Sequence, residues 1–305
     1  MSLRHVRRWW CAGLLALPAL APGQDTLPQP LGVRPAHIGA FSTGVANHQA
    51  IDRLIWAPGL DDGYVPQGLA WGEGALYLSA YRSTDPKVDR GPCRLFRIDP
   101  DSGAPLGQFD LPADCGHAGG LAWVGPGTLV VADTRRLYRV DVQRAFSSDG
   151  AAGAVTASLA LGGELRGSFA DFEGQALFIG RYDKDAARSR GHWLPLNLFD
   201  THDGATVDER HAVRGRALPV LAQGAAFDRN GVLWVTSSGS QFGRVTRLAA
   251  AGDADAAFEL PTGSEDIAFD DAGRLWCVSE AGSLRWRHWR ERFPLLFRLD
   301  PTRLR

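Results

Sequence analysis

The sequence predicts an all-β protein built from a repeated blade-like unit, most simply a five-bladed β-propeller. Three observations lead to this fold. A strand-turn-strand pattern recurs five times, the last copy ends before its fourth strand, and an orphan strand-like segment precedes the first copy. An N-terminal strand that completes the last blade would close the ring and protect the edges of its sheets.

Each repeat begins with a small or polar residue and continues with a short apolar strand. A turn at Gly or Asp then leads to a second strand rich in Leu, Val, Trp and Tyr. Its copies begin with Gln67–Trp71, Gly119–Trp123, Ser168–Phe172, Gln223–Phe227 and Glu265–Phe269. They recur at intervals of 42 to 55 residues, which suits four-stranded blades of about 40–50 residues. The third copy fits least well, because Asp171 replaces a small apolar residue.

Third strands follow with alternating apolar and polar residues, most clearly over 95–99, 137–141 and 296–300. The last copy stops after its third strand, and the segment over 53–58 resembles a fourth strand. Five units then account for residues 52–305. Two alternatives stay open: a six-bladed ring with a degenerate blade hidden in 181–222, and an open stack of β-meanders.

Residues 1–23 have the pattern of a secretory signal peptide. Arg4, Arg7 and Arg8 precede an apolar stretch of 13 residues, Trp9–Ala21, which is short for a membrane span. We expect cleavage near Gly23, an N-terminal extension over 24–51, and one propeller domain over 52–305. The mature chain would then be secreted or periplasmic and without a membrane span, a retained N-terminal anchor being the alternative.

The charge balance argues against nucleic-acid binding. The chain has 33 Lys and Arg against 34 Asp and Glu, and loss of 1–23 changes its net charge from −1 to −4. Binding to phosphates needs clustered basic residues. We therefore do not expect a nucleic-acid partner. The expected partner is a small molecule or a polysaccharide-like ligand, and the chain is expected to be a monomer.

Three cysteines remain in the expected mature chain. Cys93 begins the third strand of the first blade and Cys115 follows the fourth. The two positions lie symmetrically about the hairpin turn over 101–103, so we predict a disulfide between them. Cys277 lies in an apolar, strand-like run and is expected to be a buried, inert thiol.

Polar side chains at the starts of the first strands and the ends of the second strands should converge on one face of the ring. The channel mouth on that face is the expected ligand site. The candidate ligand-binding residues are Gln67, Tyr81, His117, Asp133, Asp183, Gln223, Glu265, Asp266, Glu280, Arg285 and Trp286. The structural alternative is that these side chains cap backbone amides and bind channel waters.

Glu265, Asp266 and Glu280 are the candidate metal ligands. Acids that converge on one axis repel each other and need a cation, a proton or an arginine partner. Carboxylate oxygens suit Ca²⁺ or another hard divalent cation.

The segment Arg285–Arg290 connects the second and third strands of the last copy, so it should lie on the channel-mouth face. Its Arg and Trp side chains suit anionic or sugar-like ligands through charge-assisted hydrogen bonds and stacking. The alternative is an ordinary loop whose tryptophans pack on neighbouring blades.

The segments over 66–70, 117–122 and 264–268 resemble blade motifs of the SMP-30/gluconolactonase-like propeller superfamily. The resemblance runs along most of the mature chain and implies a propeller, usually six-bladed. It also implies a divalent cation at the channel mouth and hydrolysis of lactones or similar esters. The chain departs from this pattern, since Gln67 stands where those enzymes have Glu, and Asn ligands are missing from the middle blades.

The leading hypothesis is an exported propeller that binds a small ligand or an extracellular polymer at its channel mouth, with catalysis left open. A metal-dependent hydrolase of the lactonase or esterase type is the first alternative. A protein-interaction scaffold, which should expose a large apolar patch, is the second. Five-bladed glycoside hydrolases offer a further comparison, but no spacing in the sequence selects their pair of carboxylates.

Overall fold

The computed structural model describes residues 26–148, 151–249 and 253–305. Five antiparallel sheets surround one axis, so the predicted five-bladed β-propeller is confirmed. The expected signal peptide over 1–23 lies outside the described residues. No helix within the described ranges is long and apolar enough to cross a bilayer.

The first two blades follow each other along the chain. Blade 1 contains, from the axis outward, β2 (Tyr64–Gly72), β3 (Ala75–Arg82), β4 (Cys93–Ile98) and β5 (Pro105–Asp110). Blade 2 contains β6 (Gly120–Gly125), β7 (Thr128–Asp133), β8 (Arg136–Asp141) and β9 (Val155–Leu161), with the short helix α1 (Val142–Ala145) after its third strand.

The other three blades complete the ring. Blade 3 contains β10 (Phe169–Glu173), β11 (Ala176–Gly180), β12 (Arg190–Pro195) and β14 (Arg214–Ala217). Along the chain, helix α2 (Leu198–Thr201) and strand β13 (Thr206–Val207) lie between β12 and β14, and β13 joins the sheet of blade 2. Blade 4 contains β15 (Ala222–Phe227), β16 (Leu233–Gly239), β17 (Phe242–Leu248) and β18 (Ala254–Leu260). Blade 5 contains β19 (Ser264–Phe269), β20 (Leu275–Ser279), β21 (Leu295–Leu299) and β1 (Ile51–Trp56). Single 3-10 turns lie at His48–Ala50, Glu209–His211 and Pro301–Arg303.

The N-terminal strand closes the ring as the sequence predicts. Strand β1 pairs antiparallel with β21, and Leu54 lies opposite Phe297 in their register. Blade 5 therefore combines the first and the last strand of the described chain in one four-stranded sheet.

Residues 181–222 do not form a sixth blade. They supply β12 and β14 to blade 3, and β13 pairs in parallel with β9 of blade 2. The long interval between the third and fourth copies thus reflects an insertion that reaches back to the preceding blade. A hydrophobic cluster that includes Leu198, Phe199 and Val207 fixes the insertion there.

The inner strands approach each other closely around the axis. A Cβ atom on Gly68 would lie 2.7 Å from the carbonyl carbon of Gly120, and one on Gly224 would collide with the backbone of Asp266. These positions are equivalent in the repeat, so blades 1, 2 and 4 carry glycine where blade 5 carries Asp266. A five-bladed ring leaves room at this level for few side chains, and Asp266 occupies that room.

Asp266 connects four blades through its carboxylate. Its Oδ2 accepts the backbone N–H groups of Leu69 and Leu121 at 3.1 Å each, and Oδ1 accepts that of Ala225 at 3.3 Å. Each donor directly follows one of the inner-strand glycines. The side chain is fully buried, and this burial raises the pKa of Asp266 well above its usual value against the opposing effect of the amide donors.

Asp171 makes a related contact between blades 3 and 4. Its carboxylate accepts the backbone N–H of Phe227 at 2.7 Å, and burial raises the pKa of Asp171 to about 7. The acidic residue that made the third copy irregular therefore bonds to the next inner strand. Apolar side chains such as Tyr77, Phe178 and Trp276 fill the spaces between the sheets.

The predicted disulfide between Cys93 and Cys115 is present, with 5.9 Å between the two Cα atoms. It closes the open end of the hairpin formed by β4 and β5, as the sequence suggested. Cys277 is a buried free thiol, also as predicted.

The extension before β1 packs against the ring, and Ser42 donates its backbone N–H to the carbonyl of Arg292 at 2.8 Å.

Replacement of Asp266 by Asn should destabilise the ring. An amide side chain offers one oxygen and one NH₂ group, so at least one of the three backbone N–H donors would lose its acceptor. We expect the free energy of unfolding to fall by about 2–4 kcal/mol, because buried donors without partners cost about 1–3 kcal/mol each. Urea titration of wild type, Asp266→Asn and the exposed control Asp271→Asn measures this. A loss below about 0.5 kcal/mol, the usual range of a surface change, would contradict the role given to Asp266.

Candidate functional site

A cavity of about 480 Å³ opens at one end of the propeller axis. It is formed where inner strands begin, where second strands end, and by the loop between β20 and β21. Its lining is mostly polar and charged, with three large aromatic side chains. The lining residues are Gln67, Asp89, His117, Thr134, Arg166, Ser168, Arg181, Tyr182, Asp183, Arg188, Gln223, Ser238, Gly239, Ser240, Glu280, Arg285, Trp286 and Trp289.

Two buried glutamates lie at the base of this cavity: Glu280 lines its floor, and Glu265 lies directly beneath. Gln67 donates from Nε2 to Glu280 Oε2 at 3.1 Å, and Gln223 donates from Nε2 to Glu265 Oε1 at 3.2 Å. Ser238 also donates to Glu265 Oε1, at 3.4 Å. Each carboxylate therefore has a glutamine from another blade beside it. Neither glutamate forms an ion pair within the described ranges, so the pair lacks a neutralising cation there.

Both glutamates have an increased affinity for protons. Burial raises the pKa of Glu280 to about 7. Burial, and then repulsion from Glu280, raises the pKa of Glu265 well above its usual value. The phenol pKa of Tyr182 is raised by burial and then by the negative charges of Glu265 and Glu280. The floor therefore holds a proton near neutral pH more readily than ordinary carboxylates do.

Asp266 has a different role from the two glutamates. Its oxygens are engaged by three backbone amides below the cavity, which is the capping role weighed as the structural alternative. Glu265, Asp266 and Glu280 do not gather with one oxygen each within 4.8 Å of one another. The one described set of three that does so is Cys93, Cys115 and Asp133, and its two sulfurs are bonded to each other. A divalent cation at the base of the cavity would therefore have the carboxylates of Glu265 and Glu280 and the neighbouring glutamine amides as ligands. Cation binding stays a prediction.

Asp133 shapes the loop that carries His117 to the cavity wall. Its carboxylate accepts the backbone N–H groups of Gly116, His117 and Ala118 at 3.1, 2.6 and 3.1 Å. The disulfide at Cys115 anchors the start of the same loop. Asp133 is buried by these contacts and does not line the cavity, so it positions another candidate residue.

His117 stacks on Tyr81 with 4.6 Å between the ring centroids. Its Nδ1 lies 2.7 Å from the carbonyl oxygen of Asp89, and burial lowers its pKa. Tyr81 is fully buried behind the histidine, and its hydroxyl is hydrogen-bonded to Arg285. Tyr81 therefore supports the wall and does not itself line the cavity.

Arg285 and Trp286 lie on the channel-mouth face, where the sequence placed their loop. The Arg285 guanidinium carbon lies 4.2 Å from the Trp286 ring centroid, and Nη2 donates to the carbonyl of Pro86 at 3.2 Å. Burial lowers the pKa of Arg285 to about 10. Among the described residues Arg285 has no carboxylate partner, and its buried Nε has no hydrogen-bond partner.

Asp183 also lines the cavity, in a cluster of charged side chains. It accepts from Arg181 Nε and Arg188 Nε at 3.0 Å each, and Arg181 also contacts Glu164 at 2.9 Å. A backbone hydrogen bond from Asp185 lowers the pKa of Asp183 most. These arginines are already neutralised by carboxylates, in contrast to Arg285.

A second depression of about 1020 Å³ continues from the mouth. It shares Ser240 and Trp289 with the first cavity and extends to Ser42 and Gly44 of the N-terminal extension. Trp286 and Trp289 stack with 4.7 Å between their centroids at the junction. The mouth is thus one end of a longer groove.

The structure brings most of the candidate residues to one cavity. Gln67, His117, Asp183, Gln223, Glu280, Arg285 and Trp286 line it, Glu265 lies directly beneath, and Tyr81, Asp133 and Asp266 lie behind it. Sequence reasoning missed Asp89, Thr134, Arg166, Arg188 and Ser240. Of these, Arg166 could have been found, because it precedes Ser168 by two residues just as His117 precedes Gly119.

Comparison with known proteins does not assign the chain to a family. No family model matches the chain, and no curated protein matches it either. Similar solved structures include a protein of unknown function from Bacteroides caccae, with a TM-score of 0.38, 10% identity, and 61% of each chain covered. The Dos1 propeller has a TM-score of 0.35 and 13% identity over 75% of this chain and 53% of that one.

The aldose sugar dehydrogenase of Streptomyces coelicolor, solved in a PQQ-bound form, has a TM-score of 0.42 and 16% identity, covering 73% of this chain and 75% of that one. The present chain spans about three fifths of the length of the Bacteroides protein and about half of that of Dos1. None of these likenesses bears on function, and the five-bladed architecture follows from the strand pairing itself.

Glu280 should make the protein less stable as the pH rises. Its pKa increases from 4.5 in the unfolded chain to about 7 on folding. Its contribution to stability is therefore complete below pH 4.5 and is lost as the pH rises through 7. We expect Glu280→Gln to reduce the decline in unfolding free energy between pH 5 and pH 8 by about 2 kcal/mol, since one pKa unit corresponds to about 1.4 kcal/mol.

Urea denaturation of wild type and Glu280→Gln at several pH values tests this expectation. Asp183→Asn is the matched control, because the pKa of Asp183 is lowered by folding and its removal should leave the decline in place. An unchanged decline in Glu280→Gln would show that this carboxyl group is not the one that titrates.

Proposed function

We propose that the protein is an exported propeller that binds a carbohydrate ligand at its channel mouth. The observation that carries this proposal is the composition of the cavity. Glu280 and the amides of two glutamines line its floor above the buried Glu265, and Trp286, Trp289 and Tyr182 are among its walls. Ligand sites commonly combine a few converging polar groups with aromatic surface in this way.

The floor suits the hydroxyl groups of a sugar. Carboxyl oxygens accept hydrogen bonds from hydroxyl groups, and a bond to an ionised carboxylate contributes about 1.5–3 kcal/mol. Glu265 and Glu280 accept from glutamine donors and form no ion pair with a described residue, so oxygen lone pairs remain for ligand O–H donors. Tryptophan faces provide an apolar surface for the C–H groups of a sugar ring.

The groove suits a ligand longer than one sugar unit. The mouth and the adjoining depression share Trp289, and together they reach the N-terminal extension. This continuity supports an oligosaccharide or the end of a polymer. Export is proposed from the signal-like start of the sequence together with the Cys93–Cys115 disulfide, a bond typical of oxidising compartments.

A divalent-metal-dependent hydrolase is the second candidate, as the resemblance to lactonase-type propellers implies. The buried Glu265–Glu280 pair favours it, because a bound cation would relieve the repulsion between two ionised carboxylates. When bound, such a cation would supply Lewis-acid polarisation of an ester or lactone carbonyl. Glu265 and Glu280 would hold it, whereas Asp266 is engaged by backbone amides.

The carbohydrate proposal predicts binding that depends on Glu280. Neutral and acidic mono- to trisaccharides would be titrated calorimetrically at pH 7.5 into wild type, Glu280→Gln and Trp289→Ala. We expect at least tenfold weaker binding in both variants. Glu259→Gln, a carboxyl-to-amide change on the exposed outer strand of blade 4, is the control and should bind as wild type does.

Two outcomes separate the candidate functions. Absence of binding to every sugar in the panel would refute the carbohydrate proposal. Thermal stabilisation by Ca²⁺ that EDTA reverses and Glu280→Gln abolishes would support the metal-dependent alternative. The protein-interaction scaffold has less support, because the exposed large apolar side chains within the described ranges lie on separate elements, at Val33, Val88, Leu106, Tyr182, Val213 and Val220.

A further inference from the structure

Arg285 has no partner for its charge within the described ranges, although it is only 7% exposed. Its guanidinium contacts a tyrosine hydroxyl, a backbone carbonyl and an indole ring, all of which are neutral. Its Nε is buried without a hydrogen-bond partner. Buried charges are ordinarily paired, so a buried guanidinium at a cavity wall indicates that the ligand supplies the counter-charge.

A second guanidinium on the cavity lining, that of Arg166, also lacks a carboxylate partner among the described residues. Arg166 donates from Nη1 to the carbonyl of Gly163 at 2.9 Å, and it forms no ion pair with a described carboxylate. The other two arginines of the cavity, Arg181 and Arg188, are both paired with Asp183. The lining thus offers two cationic groups that its own acids do not neutralise.

The acids of the site form no ion pair with Arg285. Glu280 is hydrogen-bonded to Gln67 and the underlying Glu265 to Gln223, while Arg285 stacks on Trp286. A fitting ligand therefore combines hydroxyl donors with an anionic group. The flat guanidinium fork matches a carboxylate, with which it can form two parallel hydrogen bonds.

We propose that the channel mouth is selective for acidic sugars, and that Arg285 binds the carboxylate of a uronic acid residue. This inference rests on the proposed carbohydrate function and names its substrate class. Trp286 positions Arg285 by stacking against it, and the hydroxyl groups of the same sugar reach the glutamate floor. The adjoining groove past Trp289 takes the neighbouring residues of the chain.

The experiment compares three ligands that differ only at C6: galacturonic acid, its methyl ester and galactose. Each is titrated into wild type by calorimetry at pH 7.5 in 20 mM and in 300 mM NaCl. We expect galacturonic acid to bind at least tenfold more tightly than the two neutral ligands, because a charge-assisted pair contributes more than a neutral contact. This preference should shrink at high salt, while affinity for galactose should not change.

Variants assign the effect to Arg285. In Arg285→Gln the tenfold preference should disappear while weak binding of galactose persists. Arg285→Lys keeps the charge without the fork and should retain part of the preference. Arg287→Gln is the matched control, because Arg287 is exposed in the same loop and is absent from the cavity lining. Should Arg285→Gln fail to fold, Arg285→Lys, Arg166→Gln and the salt dependence of wild type still decide the question.

The outcomes distinguish this inference from the proposal beneath it. Equal affinity of wild type for galacturonic acid and galactose would overturn acid selectivity and leave carbohydrate binding in place. A preference for the acid that survives in both Arg285 variants would overturn the role of Arg285. Absence of binding by all three ligands, and by trigalacturonic acid, would overturn acid selectivity, whereas the wider sugar panel decides the proposed function separately.

Discussion

The structure depends on one buried carboxylate at the axis of the ring. Asp266 of blade 5 accepts backbone amides from blades 1, 2 and 4, and each of these amides follows a glycine that leaves the axis free. Inner strands of a propeller carry unpaired amides on their axial edge, and buried amides need acceptors. One acid replaces three separate acceptors here, which a five-bladed ring permits because its axis is narrow.

The same arrangement determines which polar side chains lie at the channel mouth. The residue before Asp266 is Glu265, which lies one step nearer the opening and meets Glu280 and Gln223 from neighbouring elements. Below this level the Asp266 carboxylate accepts three backbone amides. Above it, two glutamates and two arginines of the candidate site form no ion pair among the described residues. The change from amide capping to the candidate site thus falls between two adjacent residues of one strand.

Several side chains serve the site from behind. Asp133 and the Cys93–Cys115 disulfide hold the loop of His117, and Tyr81 supports both His117 and Arg285. Such residues occupy the same register positions as ligand-facing ones in other blades. The repeat predicts that they converge on one face, but it does not predict whether a given side chain points into the cavity or under its wall, since that depends on each blade's loops.

The sequence by itself predicted five blades, although a six-bladed ring stayed open. It also predicted the closing strand, the disulfide and the face on which the candidate residues gather, because strand periodicity and repeat spacing are local properties of the chain. Only the tertiary structure decided how the acids divide their roles. Glu265 and Asp266 are adjacent and chemically alike, yet one borders the cavity floor and the other binds amides from three blades. The tertiary structure likewise decides which groups surround each charged side chain. Arg285 meets the neutral hydroxyl of Tyr81, which is distant in sequence, only when the ring closes.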